Sequence, residues 1–150
     1  MKPNKVGPLP LGARPSPALG EEQIRSLKTL SEYDLSPISR RLSEKGIMPS
    51  SWIDEAVFEF RRFLGLRLVT DRPVPMMSRQ VDEVWHACLL FSRLYADLCN
   101  QAFGSFVHHE PTAGPDPDAE ATWTAFRSAY EAMYGSIGRI WLLGREEKQQ

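Results

Sequence analysis

The chain's entire supply of imidazole and thiol lies between Met77 and Pro111: His86, His108, His109, Cys88 and Cys99. Asp82 and His86 are spaced i and i+4. On a helix that spacing puts both side chains on one face and lets them reach one ion. Cys99 follows on the next predicted helix, and His108-His109 stand on a short extended piece. Asp82, His86, Cys99 and one of His108 and His109 therefore offer nitrogen, oxygen and sulfur donors. That mixture suits zinc, or ferrous iron if the thiol stays out. Adjacent side chains of an extended segment point to opposite faces, so only one of His108 and His109 is expected to meet His86. The same residues also have structural uses. Asp82 can bond His86, Cys99 can fill a small core position, and the paired histidines can donate to backbone carbonyls.

An enzymatic use would make Asp82–His86 an oriented base and Cys99 a nucleophile. No nucleophile elbow, phosphate loop or oxyanion device accompanies them, so the reading leans away from an enzyme. The leading expectation is a helical interaction or structural module with a protein partner. A zinc or iron protein using Asp82, His86, Cys99, His108 and His109 is the alternative.

Helices must position these groups. Ser78 is suited to cap a helix with Asp82 in its first turns. Val81, Val84, Trp85, Cys88 and Leu89 form its apolar stripe. Asp82 and His86 fall on the edge of that stripe, on a wheel of about 100° per residue. Ser92 is expected to cap a second helix, with Leu94, Tyr95, Leu98 and Ala102 inward and Cys99 on the margin. Gly104 is its expected stop. Phe106 to His109 then return extended, which would carry the histidine pair toward His86.

Three segments of this stretch carry a family resemblance: Val81-Asp82-Glu83-Val84-Trp85-His86, Ser92-x-x-Tyr95-x-x-x-Cys99, and Phe103-Gly104-x-Phe106-Val107-His108-His109-x-Pro111. With Phe60 to Leu66 upstream, they resemble the glycine-rich domain-containing protein family of plants and its smaller bacterial relatives. The chain has 10 glycines and no glycine-rich tract, so the resemblance extends to the helical module alone. It departs at Cys88, where the pattern often has histidine or a bulky apolar residue. The resemblance implies a helical fold and candidate residues, and no reaction.

A chain of 150 residues with ordinary apolar content predicts one domain with a real core. Its formal net charge of −1 gives no electrostatic case for nucleic acid. No apolar run reaches the ~18 residues of a membrane span. The proline-interrupted start lacks a signal-peptide core. Two cysteines make no disulfide framework, and free thiols point to the cytoplasm.

Residues 1–20 are expected to form an irregular or disordered arm, 21–144 a single helical domain, and 145–150 a frayed tail. Within the domain, helices are predicted at Glu21 to Leu30, Ser36 to Lys45 and from Ser50 onward. The third has Ile53, Ala56, Val57, Phe60, Phe63 and Leu64 inward and Arg61-Arg62 on a solvated face. The last begins at Asp118, with Trp123, Phe126, Tyr130 and Met133 as its stripe. Five or six helices without alternating strands make an all-α bundle.

Overall fold

The structure is a computed structural model and describes residues 8–15, 19–110 and 115–145. Six helices form the bundle: α1 Glu21–Glu32, α2 Ser36–Glu44, α3 Ser50–Gly65, α4 Arg79–Leu90, α5 Ser92–Phe103 and α6 Ala119–Tyr134. Short 3₁₀ turns occupy Pro10–Gly12, Leu66–Leu68 and Arg139–Leu142. No strand occurs among the described residues, and none of their helices is long and apolar enough to cross a membrane.

Helix α3 is the organising element, packing on α1, α2 and α4. Its predicted stripe is buried throughout. At its end, Gly65 allows a close approach: a Cβ there would collide with the Tyr134 hydroxyl of α6 and meet Leu27 of α1 at 3.0 Å. The Tyr134 hydroxyl instead donates to the Arg62 carbonyl at 2.6 Å.

Arg61 and Arg62 correct the expectation of a solvated face. Arg61 Nη1 donates to the Leu30 and Tyr33 carbonyls at 2.6 and 2.8 Å, closing the otherwise unsatisfied end of α1. Arg62 Nε donates to the Leu11 carbonyl at 2.9 Å. That bond holds the Pro10–Gly12 turn against α3, and Leu11 and Ala13 are buried there. The amino-terminal arm, where described, thus contributes to the core. Residues 1–7 and 16–18, and the tail 146–150, lie outside the described residues.

Helices α4 and α5 also refine the sequence reading. Ser78 caps α4 as expected, its hydroxyl accepting from the Val81 amide at 3.2 Å. Ser92 is already the first helical residue of α5, and the single residue Phe91 joins the two helices. The tight joint turns Leu89 outward, and Ala87 fills the core instead. Gly104 ends α5 in the left-handed conformation at φ 72°. At α6 the Asp118 side chain makes no cap. Asp116 instead ties the entry to the helix, accepting from the Asp118 amide at 2.8 Å and the Thr122 hydroxyl at 2.7 Å.

Cys88 and Cys99 are free thiols with no solvent exposure. Burial pushes the Cys88 thiol up to about 12, with the neighbouring Cys99 adding to the effect. In the unfolded chain the same thiol ionises near 9. Below that pH both states are protonated and its contribution is fully present. Between those values only the unfolded state gives up the proton, so stability falls by about 1.4 kcal/mol per pH unit for this group. Urea midpoints measured from pH 8 to 11 should show the decline, and Cys88→Ala should flatten it by one proton. An unchanged slope in that variant would place the alkaline sensitivity elsewhere.

Candidate metal centre

The site is built where α4 meets the chain returning from α5. Tyr95, fully buried on α5, fixes that return. Its hydroxyl accepts from Trp85 Nε1 at 2.9 Å and donates to the Val107 carbonyl at 2.7 Å. Burial, together with Cys99 beside it, holds the Tyr95 phenol well above its ordinary value, so it stays protonated and able to donate. One hydroxyl therefore sets both the α4 indole and the position of Val107.

From Val107 the extended backbone alternates. Val107 and His109 face inward, with 1% of Val107 and 12% of the His109 side chain exposed. Phe106 and His108 face the other way, the His108 ring edge-on to Phe106 at 4.8 Å. Alternation thus sends only one of the two histidines to α4, and the inward Val107 makes it His109. The His109 ring lies between two α4 side chains, stacked on Trp85 at 4.1 Å and on His86 at 5.1 Å between ring centroids.

The acid comes from the first turn of α4. Asp82 Oδ1 lies 2.7 Å from His109 Nε2, and Oδ2 lies 3.4 Å from His86 Nε2. One carboxylate thus addresses two imidazoles. Asp82, His86 and His109 each offer a ligand atom, and these atoms all lie within 4.8 Å of one another. The side chains differ in exposure: 52% for His86, 29% for Asp82 and 12% for His109. Two ligands are therefore anchored, and the third borders solvent.

Of the five residues expected from sequence, the structure brings together Asp82, His86 and His109. Cys99 and His108 are not in this group. Cys99 lies four residues after Tyr95, so it shares the inward stripe of α5, and its expected marginal position is corrected to full burial. His108 is turned away by the alternation.

Asp82 and His109 of this group line a cleft of about 810 Å³. Its walls include Phe63, Met76, Met77, Trp85 and Phe106, with Arg67 and Arg145 as the basic groups. Sequence reasoning missed this wall. The segment Asp71 to Pro75 reads as a turn-rich connection, yet Val74, with Met76 and Met77 just after it, packs against the core. The available signal was the apolar Val74, Met76 and Met77 among prolines.

Among curated proteins and among solved structures, no match is found. A family model does match, over residues 26–134, and its description is UCP032817-like. This corrects the expected kinship with glycine-rich domain proteins, for which the comparison shows no family match. The matched region runs from α1 to the end of α6 and includes Asp82, His86 and His109. On that coverage the chain belongs to the UCP032817-like family.

Proposed function

We propose that this protein binds a divalent transition metal, zinc or ferrous iron, through Asp82, His86 and His109. The supporting observation is the convergence of two imidazole nitrogens and a carboxylate oxygen on one point beside a cleft. An ion takes such ligands at about 2.0–2.2 Å, which sets neighbouring donor atoms about 3.0 Å apart in an octahedral site and about 3.4 Å apart in a tetrahedral one. The Asp82–His109 contact, at 2.7 Å, needs to open by less than about 1 Å to reach either spacing. His86, half exposed, is free to adjust. Three protein ligands leave the remaining positions to water or substrate, the arrangement of catalytic metal sites and not of closed structural ones. There the metal would act as a Lewis acid and lower the pKa of a bound water. The buried free thiols support a reducing compartment, which we read as the cytoplasm.

Thermal unfolding tests the metal. Protein stripped with a chelator should gain several degrees in Tm with zinc at about 100 times its Kd, because binding the folded state alone adds about 2.7 kcal/mol. His109→Ala should abolish the zinc-induced gain, whatever its own starting Tm. If neither zinc nor ferrous iron moves the wild-type Tm or gives calorimetric heat, the metal reading is wrong. The three side chains are then a hydrogen-bonded packing feature, and the remaining reading is a helical interaction module.

A further inference from the structure

The chemistry of the cleft beside the triad can be read from its walls. Phe63 and Trp85 form an apolar floor, their rings meeting edge to face at 5.2 Å. Met76 and Met77 are partly buried and border the same space. Thioether side chains adapt to varied apolar shapes. Such walls suit an organic body and not a bare inorganic ion.

Two guanidinium groups face this space, and they are not equivalent. Arg145 is committed. Its Nε donates to the Trp141 carbonyl at 3.2 Å and its Nη2 to the Met77 carbonyl at 3.0 Å. Its guanidinium carbon also lies 3.8 Å from the Trp123 ring centroid. Arg145 is thus a structural strap across the cleft wall. Arg67 stands on the 3₁₀ turn that extends α3, is exposed, and makes no hydrogen bond, ion pair or aromatic stack among the described residues. Its planar fork is therefore available for a carboxylate.

The opposing charges must be weighed. Asp82 is engaged with His86 and His109. The Asp116 carboxylate is held below its usual range by the Thr122 hydroxyl and the Asp118 amide, and those two donors occupy its oxygens. Glu110 is the acid left over, and it is exposed to solvent. A divalent ion on the triad would add two positive charges to the same space.

We propose that the cleft binds an organic carboxylate with an apolar body, its carboxylate anchored by Arg67 and its body lying on the Phe63–Trp85 floor beside the triad. The proposal extends the metal reading to a ligand class, and it can be tested with and without metal.

Isothermal titration of 4-phenylbutyrate into zinc-loaded and chelator-stripped protein is the experiment. Neutral 4-phenylbutanamide and cationic 4-phenylbutylamine serve as controls. The carboxylate should bind, the amide at least about tenfold more weakly and the amine not measurably. Arg67→Ala should weaken the carboxylate by about tenfold or more and leave the amide unchanged, the scale of losing a charge-assisted hydrogen bond. Equal affinities for acid and amide would overturn the proposal, as would an unchanged Kd in Arg67→Ala or no binding to either form of the protein. The two readings fail separately. Carboxylate binding without any zinc binding leaves this inference standing and removes the metal. Zinc binding without carboxylate binding does the reverse.

Discussion

Trp85→Ala should lower the unfolding free energy by about 3–5 kcal/mol, the range for truncating a buried aromatic. Only 5% of Trp85 is exposed. Its indole meets Phe63 at 5.2 Å, Phe60 at 6.2 Å and His109 at 4.1 Å. Aromatic pairs of this kind add to the area they bury. The indole N–H also supplies the donor that Tyr95 accepts. Truncation would remove the packing, leave a cavity and take the platform from under His109. Trp85→Phe separates these effects. It keeps an aromatic ring but loses the donor and part of the indole, and should cost about 1 kcal/mol for the hydrogen bond plus a modest volume term. Chemical denaturation of both variants measures the split. A Trp85→Ala protein with the wild-type midpoint would show that the indole does not hold α3, α4 and the returning chain together.

The grouping of Asp82, His86 and one of the paired histidines was legible in the sequence; which histidine, and the place of Cys99, were not. Helical spacing placed Asp82 beside His86, and the stop at Gly104 required the chain to return. The choice between His108 and His109 stayed open because both phases of the extended segment carry an apolar residue, Phe106 in one and Val107 in the other. The structure buries Val107 and leaves Phe106 at 40% exposure, so His109 goes inward. What decides it is the Tyr95 hydroxyl on the Val107 carbonyl, a side-chain contact that no periodicity encodes. Cys99 was misplaced for a simpler reason. Its spacing of four from Tyr95 already put it on the buried stripe, but its chemistry drew it toward the site.

The fold was legible for a different reason. Each helix buries one face, and apolar residues at helical spacing report that face directly. The polar ties between helices were not legible. Arg61 and Arg62 look solvated on a wheel of α3, because their hydrogen-bond acceptors lie 28 or more residues away. Long flexible side chains reach carbonyls at the ends of other elements, and local pattern holds no information about those ends.

Glu59 is the strongest of these ties, and Glu59→Ala should destabilise the protein by about 3–5 kcal/mol. The residue lies three after Ala56 and four before Phe63, so it sits on the buried stripe of α3 and is only 3% exposed. Its carboxylate accepts from the Tyr130 hydroxyl of α6 at 2.5 Å and from Trp141 Nε1 at 3.1 Å. Arg62 Nη1 stands 3.6 Å away and also donates to the Tyr130 hydroxyl at 2.7 Å. A Cβ on Gly138 would meet the carboxylate at 3.0 Å, so the backbone leading into the last turn also presses on it. Burial, then the bond to Glu59, raises the Tyr130 phenol well above its ordinary value, which keeps it a donor. Glu59→Ala would leave a hydroxyl, an indole N–H and part of a guanidinium buried without their acceptor. That desolvation penalty, more than the pair's own attraction, produces the large effect. Glu59→Gln keeps the shape and one acceptor oxygen, and should cost roughly half as much. The loss should appear first in α6 and the Trp141 turn, since both are held to α3 through this carboxylate. Amide exchange should accelerate there before it does in α1 and α2, and Trp141 emission should shift to the red. Stability within about 0.5 kcal/mol of wild type for both variants, the scale of an ordinary surface substitution, would show that Glu59 does not join the carboxy-terminal elements to the bundle.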